Sequence, residues 1–138
     1  MAVVTSRLRA SVGFGRLGEV EQWGLVREGL ARSLPDDSLP AAPALGGYWT
    51  RTNDVEIDIV GADRAPVARQ LLFVGSIKWL DRSPFDDHDL ADLLGHRAAL
   101  TTEPIPTVAV SRSGISCHGL RAAYGPEDLI AAWARTAG

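Results

Sequence analysis

The sequence holds a single cysteine, Cys117, so no disulfide can close within the chain, and this usage fits a reducing cytoplasm. No run approaches the about 18 apolar residues of a membrane span. The N-terminal MAVVTSRLRASVGFGR also lacks the uninterrupted apolar core of a signal peptide, so no membrane partner is expected. Positive charge is not in excess: 14 Lys and Arg stand against 17 Asp and Glu, a formal net charge of −3. Domains that grip nucleic acid strongly by themselves are usually basic, because neutralising phosphates drives that binding. The acidity argues against autonomous DNA binding and leaves room only for a local patch. A GxxxxGK(S/T) phosphate loop is missing too, which excludes a P-loop nucleotide site within these 138 residues. What is present, 138 residues that are 46% hydrophobic, suffices for one globular domain with its own core.

The stretch around which the chain is organised is residues 54–79, DVEIDIVGADRAPVARQLLFVGSIKW. Val55, Ile57 and Ile59 alternate with Asp54, Glu56 and Asp58, the period of two of a half-buried strand. A breaker cluster at 61–66 follows, and then LLFVGSIKW reads as a second strand, apolar until Ser76 and Lys78. Folding the two antiparallel sets Asp58 roughly opposite residues 74–76. Ser76 and Lys78, two apart, point to one face, which Asp58 then shares. Acids facing a lysine across neighbouring strands are costly if buried without partners, which makes this ribbon the first place to look for function.

An acidic strand, a hairpin turn and a second strand ending in (D/E)-x-K resembles the core of the PD-(D/E)xK, or restriction-endonuclease-like, nucleases. More narrowly, GYWTRTNDVEIDIVGADRAPVARQLLFVGSIKW (47–79), VAVSRSG (108–114) and GPEDLIAAW (125–133) resemble, in order, the nuclease-like domain at the C-terminus of archaeal-type AAA ATPases. The resemblance covers roughly residues 17–135. It implies an α/β fold: a mixed sheet of four to five strands flanked by helices, with core order αβββαβ. It also implies Asp58 as a ligand of Mg²⁺ or Mn²⁺, Glu56 or Glu21 as an assisting acid, and Lys78 stabilising developing charge or positioning the attacking water. An ATPase module, in the same or a separate chain, and nucleic acid are the implied partners. One departure stands out: Ser76 occupies the place of the second acid, giving S-x-K. A hard divalent ion prefers carboxylate oxygens, and a neutral hydroxyl is a weak ligand. Glu56 joins Asp58 only if a bulge in the strand turns it inward.

Elsewhere the pattern is plainer. Residues 1–16 form an N-terminal arm or linker stub, and residues 17–138 the domain. Gly13, Gly15 and Gly18 spell GxGxxG, but Arg7 and Arg9 interrupt the strand a dinucleotide site needs, so a flexible lead into the helix is the reading. Val20, Trp23, Leu25, Val26, Leu30 and Leu34 predict a helix over 17–34, stopped by PDDSLP. Glu19, Glu21 and Glu28 lie on it, and a solvated face is their default. Tyr48 to Arg51 reads as the first strand. Within residues 81–100, Pro84 and Phe85 precede Asp86, Asp87, His88 and Asp89, and Leu90, Leu93, Leu94 and Ala98 then mark a helix whose N-terminal acids suit its dipole. His88, Asp92 and His96 recur every four residues and could line one face toward zinc. No fourth ligand is evident, so a polar outer face is the reading. Thr107 to Val110 reads as a buried strand ending in Ser111, Arg112, Ser113 and Gly114, residues able to contact a phosphate or simply to turn the chain. Cys117 and His118 are adjacent, with no third group to orient them, and read as structural.

A weak strand is expected near 115–122. Gly125 and Pro126 open a last helix whose buried face is Leu129, Ile130 and Trp133. Two functions from different classes follow from the resemblance: a metal-dependent nuclease domain, degenerate at the metal site through its S-x-K and acting with an ATPase module on nucleic acid, or a non-catalytic descendant of that fold serving as a nucleic-acid-binding, protein-interaction or oligomerisation module. Homo-oligomerisation is open in either.

Overall fold

In the computed structural model the described residues are 17–50, 54–65 and 67–136, with side chains described for 23–135 of these. The expected arm at 1–16, and Arg51 of the first expected strand, lie outside them. In chain order the elements are α1 (Leu17–Ser33), β1 (Ala44–Trp49), β2 (Glu56–Ala62), β3 (Leu71–Lys78), α2 (Asp87–Leu100), β4 (Thr107–Ser111), β5 (Ala122–Tyr124) and α3 (Pro126–Thr136). The strands form one mixed sheet in the order β1-β2-β3-β4-β5. The first three are antiparallel, and β4 and β5 run parallel to β3.

The helices divide between the two faces. Leu90 and Leu93 of α2 pack with Ile57, Val60, Val74, Phe85 and Ala109 on one face. Val26 and Leu30 of α1 and Leu129 of α3 pack with Ile59, Phe73, Ile77, Val108 and Val110 on the other. β4, buried at every position, is sandwiched between these layers, as a central parallel strand must be. The β3-to-β4 connection runs through α2, the crossover that parallel neighbours require. The β4-to-β5 connection manages without a helix. Its loop lies on the α2 side, where Ile115 bridges Phe85 and Cys117 and Leu120 pack against the core cluster.

Several boundaries move for a shared reason. β1 begins four residues before the expected Tyr48 and runs through Gly46 and Gly47; β2 continues through Gly61 into the expected turn. These glycines make room rather than break strands. A Cβ on Gly47 would sit 2.8 Å from Arg27 Nη2, and one on Gly61 would sit 2.4 Å from the Phe73 ring. The expected strand near 115–122 is displaced to Ala122–Tyr124, with only an isolated bridge at Ile115. On the helices, Leu25 is 63% and Ile130 is 69% exposed, contrary to the periodic reading. Ala132 takes the buried place on α3, and Trp133 is half-buried beneath the Arg32 guanidinium, 3.7 Å from its ring centre. Among the described residues no helix is long and apolar enough to cross a membrane.

Candidate functional site

The site is made by an irregularity in β2. Gly46 pairs with Val60 and Tyr48 with Ile57, so two steps on β1 match three on β2, and the extra residue bulges at Asp58–Ile59. On the other side the β2–β3 register runs to Ile59↔Gly75. Beyond it, the Ile77 N–H that points toward β2 is received by a side chain: Asp58 Oδ2 accepts it at 2.8 Å. The Ser76 hydroxyl donates to the same oxygen at 3.4 Å, and the Trp23 indole hydrogen-bonds the carboxylate from α1. Arg27, one turn further along α1, donates its Nε–H to the Asp58 carbonyl at 2.7 Å.

Burial dominates the electrostatics. It raises the Asp58 pKa above the ordinary carboxylate value, and the charge of Glu56 pushes the same way. The Ile77 N–H opposes this, followed by Arg27 and Trp23. Burial also lowers the Arg27 pKa, against the attraction of Asp58 and Glu56.

Lys78 finds its partner elsewhere. Its ammonium lies 2.6 Å from Asp89 Oδ2, with both side chains half-buried. That same oxygen accepts the Asp86 N–H at 2.9 Å, while Asp86 Oδ1 accepts the Asp89 N–H, a reciprocal capping box at the start of α2. The geometry therefore brings Asp58 and Ser76 together and commits Lys78 to the helix cap. Local sequence gave no sign of this, because Asp89 reaches Lys78 only when α2 crosses back over β3. Arg27 was likewise missed, although it stands four residues after Trp23 on one helical face.

A cavity of about 180 Å³ opens beside these residues, lined by Glu56, Asp58, Ser76, Asp89, Asp92 and His96. Glu56 is exposed at its rim. His96 Nδ1 meets the Glu56 carbonyl at 2.8 Å; a carbonyl only accepts, so the proton is on Nδ1. The expected outer face of α2 thus keeps His88 and Asp92, 3.6 Å apart in solvent, and sends His96 inward. Glu21 belongs to α1, and its side chain is outside the described residues. Among the described residues no three His, Cys, Asp or Glu side chains converge as a metal site. The described donors do not suit Mg²⁺ or Mn²⁺. Asp58 Oδ2 already accepts two hydrogen bonds, and a neutral hydroxyl stands where a second carboxylate is needed.

Of the expected phosphate trio, Ser111 and Arg112 line one cavity and Ser113 does not. Arg112 pairs with Asp81 at 2.5 Å, Ser113 donates to the Leu80 carbonyl, and Ser111 is buried at the end of β4. No protein-family model, no curated protein and no solved structure matches this chain.

Proposed function

We propose that this chain is a non-catalytic descendant of the restriction-endonuclease-like fold, acting as an interaction module beside an ATPase carried in the same or a separate chain. Two features support the ancestry. The order α1-β1-β2-β3-α2-β4 reads αβββαβ, and Asp58 and Lys78 stand where that fold's motif has its strand acid and lysine. The observation that carries the loss of chemistry is the engagement of both groups. The Asp58 carboxylate replaces a ladder carbonyl for Ile77, and the Lys78 ammonium is neutralised within the cap of α2. A group so engaged must break a part-buried hydrogen bond before it meets substrate or metal.

The test is cleavage of plasmid and single-stranded DNA with Mg²⁺ or Mn²⁺, with Lys78→Ala as the control. The expected outcome is no cleavage above the Lys78→Ala background. Metal-dependent cleavage that Lys78→Ala abolishes would restore the nuclease reading. A divalent-ion titration followed by thermal unfolding gives a second check: no shift is expected that Asp58→Ala removes.

A further inference from the structure

A second cavity, of about 370 Å³, lies where β4 and β5 end and α3 begins. Ser111 lines it while being only 1% exposed, and its Oγ has no hydrogen-bond partner. Its direction follows from register. Ala109 pairs with Ala123, and Ser111, two residues beyond Ala109, presents its side chain to the same face as Ala123, which also lines the cavity. A buried hydroxyl left without a partner is costly, so a group entering here gains a hydrogen bond that the fold itself does not make.

The charge of the surroundings selects the group. Glu127 and Asp128 line the cavity, and Asp36 lies behind it, accepting the Tyr124 hydroxyl at 2.5 Å. Burial, the hydrogen bond to Asp36 and the charges of Asp36 and Asp128 together hold the Tyr124 phenol well above its ordinary value, as a negative field requires. Among the described residues Arg112 is the one cation lining the cavity, and Asp81 neutralises it; Lys78, paired with Ser111 across the ladder, is neutralised by Asp89. The first turn of α3, which would favour an anion, already carries two carboxylates. A phosphate, expected here from the hydroxyl and arginine residues, is therefore repelled. A hard divalent cation wants six to eight oxygens. Here Asp128 Oδ2 is occupied by the Gly125 N–H at 2.7 Å. A cation with several directional N–H donors suits one free hydroxyl and two carboxylates better.

We propose that this cavity binds an alkylammonium or guanidinium head group, the chemistry shared by lysine and arginine side chains and by small amines. The proposal needs neither the nuclease ancestry nor the Asp58 cluster. It is tested on the full chain, ¹⁵N-labelled, by following amide resonances during titration with agmatine, with an acetylated Gly-Arg-Gly amide, and with inorganic phosphate. Saturable shifts at Ser111, Gly125 and Glu127 are expected with agmatine and the peptide, and none with phosphate. Glu127→Gln, at an exposed position, and Ser111→Ala are each expected to weaken binding about fivefold or more. Tighter binding of the peptide assigns a protein side chain as the natural occupant, and tighter binding of agmatine assigns a small amine; both support the site. Saturable shifts with phosphate, no saturable shift with either cation, or affinities unchanged in both variants would overturn it.

Discussion

Asp58 takes the role of a backbone carbonyl, and its titration follows from that position. In the unfolded chain it ionises near the ordinary 3.8, and burial in the fold raises that value. The folded state then holds the proton more tightly than the unfolded one. The associated stability is complete below about pH 3.8 and is lost as pH rises through the higher folded value. Asp58→Asn removes this titration while keeping an acceptor for Ile77. Urea midpoints measured between pH 4 and 8 should fall more steeply with pH for the wild type than for Asp58→Asn, and the difference between the curves isolates this group. Asp58→Ala removes the acceptor altogether. It should cost about 1–3 kcal/mol at pH 5 through the orphaned Ile77 N–H. Parallel pH profiles would contradict the burial argument.

Among the elements, β3 is closely packed by β2 on one side and β4 on the other. A Cβ on Gly75 would lie 2.6 Å from Val108 Cγ1 and 2.7 Å from the Val108 carbonyl oxygen. The side chain can rotate away, but the backbone oxygen cannot without parting the β3–β4 ladder. Gly75→Ala should therefore destabilise the protein by about 1–3 kcal/mol or more, read as a lowered urea midpoint. Helix α2 depends on its first turn. Lys78→Met removes a half-buried ion pair and leaves the cap intact, so its cost should stay within about 1 kcal/mol. Asp89→Ala removes the Lys78 partner and the acceptor of the Asp86 N–H together. Its cost should exceed that of Lys78→Met by about 1 kcal/mol, the usual worth of a cap. Equal costs would mean that Asp89 serves the ion pair alone.

For the whole molecule, the distribution of charge bears on partner choice more than the net value of −3 does. Asp81, Asp86, Asp87, Glu127 and Asp128 cluster where β3, β4 and β5 end and where α2 and α3 begin. A nucleic-acid backbone approaching that edge meets carboxylates. Fluorescence anisotropy with a labelled oligonucleotide at physiological ionic strength should show no saturable binding by the isolated chain. Binding that weakens steeply with added salt would indicate a cationic surface that the described residues do not supply at this edge.

The sequence by itself determined what depends on neighbours along the chain. Period-two alternation at 54–59 placed the ribbon of β2 and β3, the apolar run at 107–110 placed β4, and Gly125-Pro126 with two acids placed the start of α3. It also put Asp58 and Ser76 on adjoining strands, since antiparallel register follows from the turn between them. Only the tertiary structure decided the rest, because each remaining fact depends on residues far apart in sequence. The bulge in β2 turned Asp58 toward Ile77, α2 delivered Asp89 to Lys78, and Arg27 and Phe73 filled the space that Gly47 and Gly61 leave open. Likewise Leu25 and Ile130, apolar at helical spacing, stay in water, because a periodic pattern names a face without saying how much of it another element will cover.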